Sequence, residues 1–234
     1  MATQAMKMKS PTPQHEGELL RYRVGPRLMH AVLAISFVTL LLTGLIIFWP
    51  PLADYASGGT SRLLHRVGAV MFMTVPFLYI LFDRPAAKEL LWDSFHYDKD
   101  DLRWLARMPR YFMGRAVEMP PQGRLNAGQK IHHAGIVVFS ATIVASGIVL
   151  WFGKGTLGPQ GLSLWAMVHD LSMLILTILL VGHLYFTFVY KALSGMVTGY
   201  VPEEEALIEH PKWVEEVKEQ KIEDRASCGG RGAR

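Results

Sequence analysis

Four stretches of this chain, residues 28–49, 63–82, 131–152 and 164–190, carry between them one cation, Arg66, and one carboxylate, Asp170. Each is about as long as the roughly 20 helical residues needed to cross a hydrocarbon core about 30 Å thick. Lipid offers no partner to backbone N–H and C=O groups, so stretches of this kind span it as helices. The sequence therefore predicts an all-α integral membrane protein, a bundle of four transmembrane helices. A composition that is 50% hydrophobic and only 19% charged over 234 residues agrees. The first stretch does not read as a cleaved signal. It begins late, outruns an h-region, and ends at Trp49-Pro50-Pro51 rather than at small residues.

The charges outside the spans orient them. Residues 1–27 carry five Lys/Arg, residues 83–130 carry nine, and the tail from Lys191 carries seven. The two remaining loops carry one each, Arg62 and Lys154. The positive-inside rule then puts both termini and the middle segment in the cytoplasm, and the loops 50–62 and 153–163 outside. Trp49, Trp151 and Trp165 fall where an outer aromatic belt is expected. The net charge of +4 comes from these flanks and is no sign of nucleic-acid binding. Cys228 stands alone, which excludes an internal disulfide, a c-type haem attachment and a cluster or zinc motif.

The chain divides into an N-terminal cytoplasmic segment (1–27), a membrane domain (28–190) and a cytoplasmic tail (191–234). Pro76 lies inside the second span as a candidate kink. The inner segment 83–130 includes 101–107, which suits a short amphipathic helix at the interface, and 214–226 reads as a polar cytoplasmic helix. There is an internal echo. His30 precedes Gly44 by fourteen residues, and His133 precedes Gly147 by fourteen. Residues 62–65 open the second span much as 166–169 open the fourth, which is consistent with an ancestral duplication of a helix pair.

Of the nine histidines, His15, His96 and His210 lie outside the spans and are expected to be solvated. His30, His132 and His133 sit near the inner surface, and His65 and His169 near the outer. His183 follows His169 by fourteen residues, just under four turns. The two therefore leave nearly the same helix face, separated by roughly 21 Å along the axis. His65 matches the depth of His169, and His30 that of His183. Two opposed pairs result, one in each leaflet. Haem iron takes axial ligands from opposite faces of a flat ring, and two histidines on different helices at one depth supply that arrangement. Small residues such as Gly44, Gly68 and Gly147 would let a macrocycle approach the backbone. Arg62 and Arg66 outside, and Arg27 and Lys191 inside, are candidate partners for propionates. The plainer reading makes each intramembrane histidine a hydrogen-bonded packing residue. A zinc or transport site is the other alternative, but that chemistry clusters imidazoles with carboxylates, whereas the spans hold only Asp170 and their histidines are spread across the membrane.

Short segments in a fixed order carry a resemblance over about residues 21–217. They are Asn126-Ala127-Gly128-Gln129-Lys130, Arg62-Leu63-Leu64-His65 with Gly68, and His169 with His183-Leu184-Tyr185. Gly195-Met196 with Gly199 and His210-Pro211-Lys212-Trp213 complete the set. Together they resemble the gamma (cytochrome b556) subunit of membrane-bound respiratory formate dehydrogenases. Related di-haem subunits serve nickel–iron hydrogenases and thiosulfate or polysulfide reductases, and the 126–130 segment favours the formate dehydrogenase branch.

The resemblance implies two haems b, the outer held by His65 and His169 and the inner by His30 and His183. It implies a quinone (menaquinone or ubiquinone) beside the inner haem, near Asn126, Gly128 and Gln129 with His183 adjacent. It also implies partners: an iron–sulfur beta subunit and a molybdenum or tungsten catalytic alpha subunit. The chain would be the quinone-reducing subunit of a formate:quinone oxidoreductase in the bacterial inner membrane, with no formate chemistry of its own. Taken as residues alone, 126–129 reads as a helix cap. The doublet His132-His133 departs from the family pattern. His133 has the depth to compete as a ligand, and a proton carrier to the quinone and an ordinary interfacial histidine also stay open for it. A haem-free anchor that only tethers partners is the alternative of a different class.

Overall fold

The computed structural model describes residues 17–189 and 193–229; His15 and Lys191 lie outside them. In chain order the elements are β1 (Glu18–Leu20), α1 (Val24–Phe48), a 3-10 turn (Pro50–Leu52), α2 (Ala53–Ser57), α3 (Thr60–Phe82), α4 (Arg84–Phe95), α5 (Lys99–Phe112), α6 (Ala127–Phe152), α7 (Pro159–Val189), α8 (Leu193–Thr198), β2 (Tyr200–Pro202), α9 (Glu203–Glu209) and α10 (Pro211–Gly229). Helices α1, α3, α6 and α7 have the length and apolarity to cross a membrane, so the four-span bundle is present. Each begins three to five residues before the apolar stretch that announced it. Apolarity marks what lipid touches, whereas caps and prolines mark where the helix starts. α6 is capped by Asn126, and α7 starts at Pro159. α1 ends before Pro50-Pro51, which cannot continue it. Pro76 lies inside α3.

Four spans leave the start of α1 and the end of α7 on one side, the near end, and put α2 and the 153–158 loop at the far end. α1 packs along α3 and α6 along α7, while the two pairs approach each other less closely. The spans are apolar outside and small and hydroxylic inside. Ser36, Thr43, Ser146 and Ser172 are buried, while Ile35, Val38, Leu42, Ile178 and Val181 are exposed to where lipid would lie. With lipid as apolar as leucine, close approach of small residues holds such helices together. Gly68 lies against Leu40, and Gly135 against Leu179. The buried hydroxyls donate within their own helices, Ser36 to the Val32 carbonyl at 2.6 Å and Ser172 to Val168 at 2.7 Å.

The inner segment holds more helix than the short stretch at 101–107, because both α4 and α5 form there. Asp83 caps α4 by accepting from the Ala86 N–H at 3.4 Å, and Asp98 and Asp101 cap α5 reciprocally. The tail helix expected at 214–226 runs over α10, from Pro211.

A β ribbon and a small water-side core, neither of them anticipated, clasp the two ends of the chain together. β1 pairs antiparallel with β2, Leu19 opposite Val201. Leu19, Ala206, Trp213 and Val214 form the core. The Arg21 guanidinium lies 4.4 Å over the Trp213 ring and donates to the Arg124 carbonyl. Gly199 has φ +92°, and a Cβ there would stand 2.7 Å from the Tyr22 carbonyl oxygen, so glycine is required.

His210 belongs to this clasp and is not solvated, since it is only 8% exposed. Its Nδ1 donates to the Gly123 carbonyl at 2.8 Å, and its Nε2 faces Arg21 Nη2 at 3.5 Å. Burial, then the charge of Arg21, pushes the imidazole down to about 3, against the opposing hydrogen bond to Gly123. The unfolded group titrates near 6.5, so the unfolded state binds the extra proton between these values. Stability that His210 supports is therefore full above pH 6.5 and is lost as pH falls toward 3. Proteolysis of the tail in detergent should accelerate over this window. His210→Gln should flatten the profile, and an unchanged slope in that variant would assign the effect elsewhere.

Candidate functional site

All four paired histidines come from α1, α3 and α7, and the expected partners face each other. His65 and His169 have ring centroids 6.3 Å apart at the far end, with planes 61° apart. His30 and His183 stand 6.0 Å apart at the near end, with planes 52° apart. Neither pair hydrogen-bonds within itself. Two imidazoles bound through nitrogen to opposite sides of one metal, each at about 2.0–2.1 Å, put their ring centroids about 6 Å apart. Both pairs have that spacing, and both bridge the looser seam between the α1–α3 and α6–α7 pairs. Among the described residues no three His, Cys, Asp or Glu are placed to hold a metal ion together. Each end thus presents two facing imidazoles on apolar helices, a donor set that fits haem iron, with His132 beside the near pair.

The internal echo has a structural counterpart in the seat of each far histidine. A Cβ on Gly44 would stand 3.4 Å from His65 Cε1, and one on Gly147 would stand 3.2 Å from His169 Cε1. The preceding residues are hydroxylic in both halves. Thr43 Oγ1 is 2.9 Å from His65 Nδ1, and Ser146 Oγ is 3.0 Å from His169 Nδ1. Sequence reasoning missed Thr43 and Ser146, although the hydroxyl-glycine doublet repeated thirteen residues after His30 and after His133 was there to be read.

At the near end His132 lies beside His183, with centroids 5.5 Å apart and planes 13° apart, and His133 lies 6.2 Å beyond His132. Depth had pointed to His133 as the competitor, but successive helical residues leave about 100° apart, and it is His132 that reaches His183. Arg66 lies 5.4 Å over the Trp151 ring, and Arg62 donates to the Ala56 carbonyl at 3.2 Å. Arg27 is engaged by the last carbonyls of α8, Met196 at 2.8 Å, Thr198 at 3.1 Å and Val197 between them. A buried guanidinium nitrogen without a partner is found instead on Arg21, at Nη1.

The 122–130 loop is a helix entrance held from several sides. Asn126 Oδ1 accepts from the Gln129 N–H at 2.9 Å, and Gln129 Oε1 accepts from the Asn126 N–H at 3.1 Å. The capping reading is therefore realised, and it uses the oxygen of each amide while leaving the NH₂ groups out of the cap. Gly128 is small because Trp104 lies against it; a Cβ would stand 3.1 Å from the indole. Lys130 ties α6 to the Asp101 carboxylate on α5 at 2.7 Å. Gln122 accepts from the Ala127 N–H at 2.8 Å through its side chain and from the Lys212 N–H at 3.1 Å through its carbonyl. The terminal clasp and this loop are thus one unit, and His132, one turn along α6 from Gln129, joins it to His183.

The comparisons with known proteins agree with this architecture. The formate dehydrogenase cytochrome b556 subunit of Haemophilus influenzae is 25% identical over 90% of this chain and 88% of its own length. The cytochrome b556(Fdn) subunit of the nitrate-inducible formate dehydrogenase of Escherichia coli K12 is 23% identical over 90% of this chain and 97% of its own. The cytochrome b556(fdo) subunit of another formate dehydrogenase of that strain is 23% identical over 86% and 93%. A broader family, the prokaryotic cytochrome b561 proteins, matches residues 21–199, which include all four spans and all four paired histidines. With four apolar spans and a match over most of its length, the chain belongs to the prokaryotic cytochrome b561 family and is a multi-pass membrane cytochrome b.

Proposed function

We propose that this chain is the di-haem membrane subunit of a formate dehydrogenase, carrying electrons from the far surface to quinone at the near surface. The observation that carries the reading is the two facing imidazole pairs, 6.3 Å and 6.0 Å across, whose α7 members leave one helix face roughly 21 Å apart along its axis. His65 and His169 would hold one haem b, and His30 and His183 the other. Haem iron, when bound, supplies reversible one-electron exchange without proton transfer. Gly44 and Gly147 admit the far imidazoles close to α1 and α6. The NH₂ groups of Asn126 and Gln129 face the task of donating to a quinone carbonyl, with His183 and His132 adjoining.

The charge asymmetry supports near-end termini in the cytoplasm, in a bacterial inner membrane. A formate-oxidising subunit and an iron–sulfur subunit would then dock on the short far loops from the periplasm. Quinone, either menaquinone or ubiquinone, would take its protons from the cytoplasmic side. The relatives' names support formate as the donor.

The purified complex should contain about two b haems per chain. Formate should reduce both, and a quinone analogue should reoxidise them. Reporter fusions at Gly58 and Gly158 should read periplasm, and one at Arg115 cytoplasm. One haem or none would refute the pairing. Reduction by hydrogen and not by formate would assign the chain to a hydrogenase instead.

A further inference from the structure

Thr43 and Ser146 occupy equivalent places. Each is buried, 6% and 0% exposed respectively, each precedes a glycine that abuts an imidazole, and each is within hydrogen-bonding distance of the Nδ1 of a far histidine, at 2.9 and 3.0 Å. Thr43 donates to the Thr39 carbonyl at 2.6 Å, and Ser146 to the Thr142 carbonyl at 2.9 Å. A hydroxyl that donates elsewhere meets a neighbouring ring nitrogen as acceptor. An Nδ1–H on His65 and on His169 finds this oxygen as its acceptor, and that tautomer leaves the lone pair on Nε2. Outer-shell partners of this kind fix the tautomer and ring orientation of a metal-binding imidazole and raise its basicity. Among the described residues neither His30 nor His183 has a hydroxyl partner.

We propose that Thr43 and Ser146 are positioning residues for the far haem, setting both axial imidazoles in the Nδ1–H tautomer and lowering that haem's potential relative to the near one. An Nδ1–H that donates pushes electron density toward iron and favours the ferric state. With two such bonds at the far site and none at the near site among the described residues, electrons gain a downhill direction from far to near. This rests on the ligand reading above.

The test is a redox titration of the purified complex, with paramagnetic resonance of the ferric haems, for Thr43→Val, Ser146→Ala and the pair, beside Thr43→Ser and Ser146→Thr. The hydroxyl-free variants should raise one haem's potential and leave the other unmoved. The double variant should shift the reduced-to-oxidised ratio at fixed potential by about tenfold, which is 59 mV for one electron. The g values of that haem should move with it, and the hydroxyl-keeping variants should match the parent. If Thr43→Val loses the haem outright, Thr43→Ser decides: parental potential supports the inference, and loss overturns it. Unmoved potentials, or equal movement of both haems, also overturn it. Replacing His65 or His169 separately tests the ligands. If each removes a haem while the hydroxyl variants shift nothing, only this inference fails; if neither removes one, the ligand reading itself fails.

Discussion

Replacing His169 by alanine should leave the complex with about one haem in place of two, and that haem should be reducible by dithionite but not by formate. His169 faces His65 across 6.3 Å, and an iron held from one side only by His65 is not expected to stay low-spin or to keep its porphyrin through purification. The far site is the one open to a partner docked on the short far loops, so losing it separates formate from everything beyond. His183→Ala should give the complementary result. The near haem is lost, and formate still reduces the far one, with no onward transfer to quinone. The two variants together fix the order of the relay, because a parallel arrangement would let each surviving haem respond to formate. If His183→Ala keeps both haems, the candidate to replace it at the near site is His132, whose ring lies 5.5 Å from that of His183.

The spans and the pairing of histidines were legible in the sequence because both are periodic and local. Apolar length decides a span, and a fourteen-residue step along one helix places His169 and His183 on one face with no knowledge of tertiary contacts. The structure moved the helix starts outward, since polar first turns held by caps and prolines carry no hydropathy signal. The β1–β2 ribbon was illegible for a different reason. Three residues have no period, and their partner lies about 180 positions away. His210 was misjudged with it, because its burial comes from Gly123 and Arg21, both distant in sequence. The carbonyls that engage Arg27 were out of view for the same reason, because they belong to α8. Thr43 and Ser146 were readable in principle. The doublets Thr43-Gly44 and Ser146-Gly147 repeat at one spacing, but only their glycines entered the echo.

The 126–129 segment was expected either to cap a helix or to bind quinone, and the geometry makes these separable because the cap uses only oxygen. Asn126→Asp and Gln129→Glu keep an acceptor at Oδ1 and Oε1, so the reciprocal bonds to the Gln129 and Asn126 N–H groups survive. Aspartate caps about as well as asparagine. What each variant removes is the NH₂ donor. If the amides hold the quinone carbonyl, both haems should remain, formate should still reduce them, and reoxidation by quinone should slow about tenfold or more. That factor corresponds to about 1.4 kcal/mol, the size of one hydrogen bond made in the reaction. Asn126→Ser, which retains a capping oxygen without adding charge, distinguishes a lost donor from simple repulsion: the former slows reoxidation in both variants, the latter in aspartate alone. Asn126→Leu removes cap and donor together, and should add a loss of stability of about 1 kcal/mol. If Asn126→Asp and Gln129→Glu reoxidise at the parental rate while Asn126→Leu is merely less stable, the segment is a cap and nothing more. The quinone then belongs along the near ends of α1 and α7, where His30, His183 and His132 already line the seam.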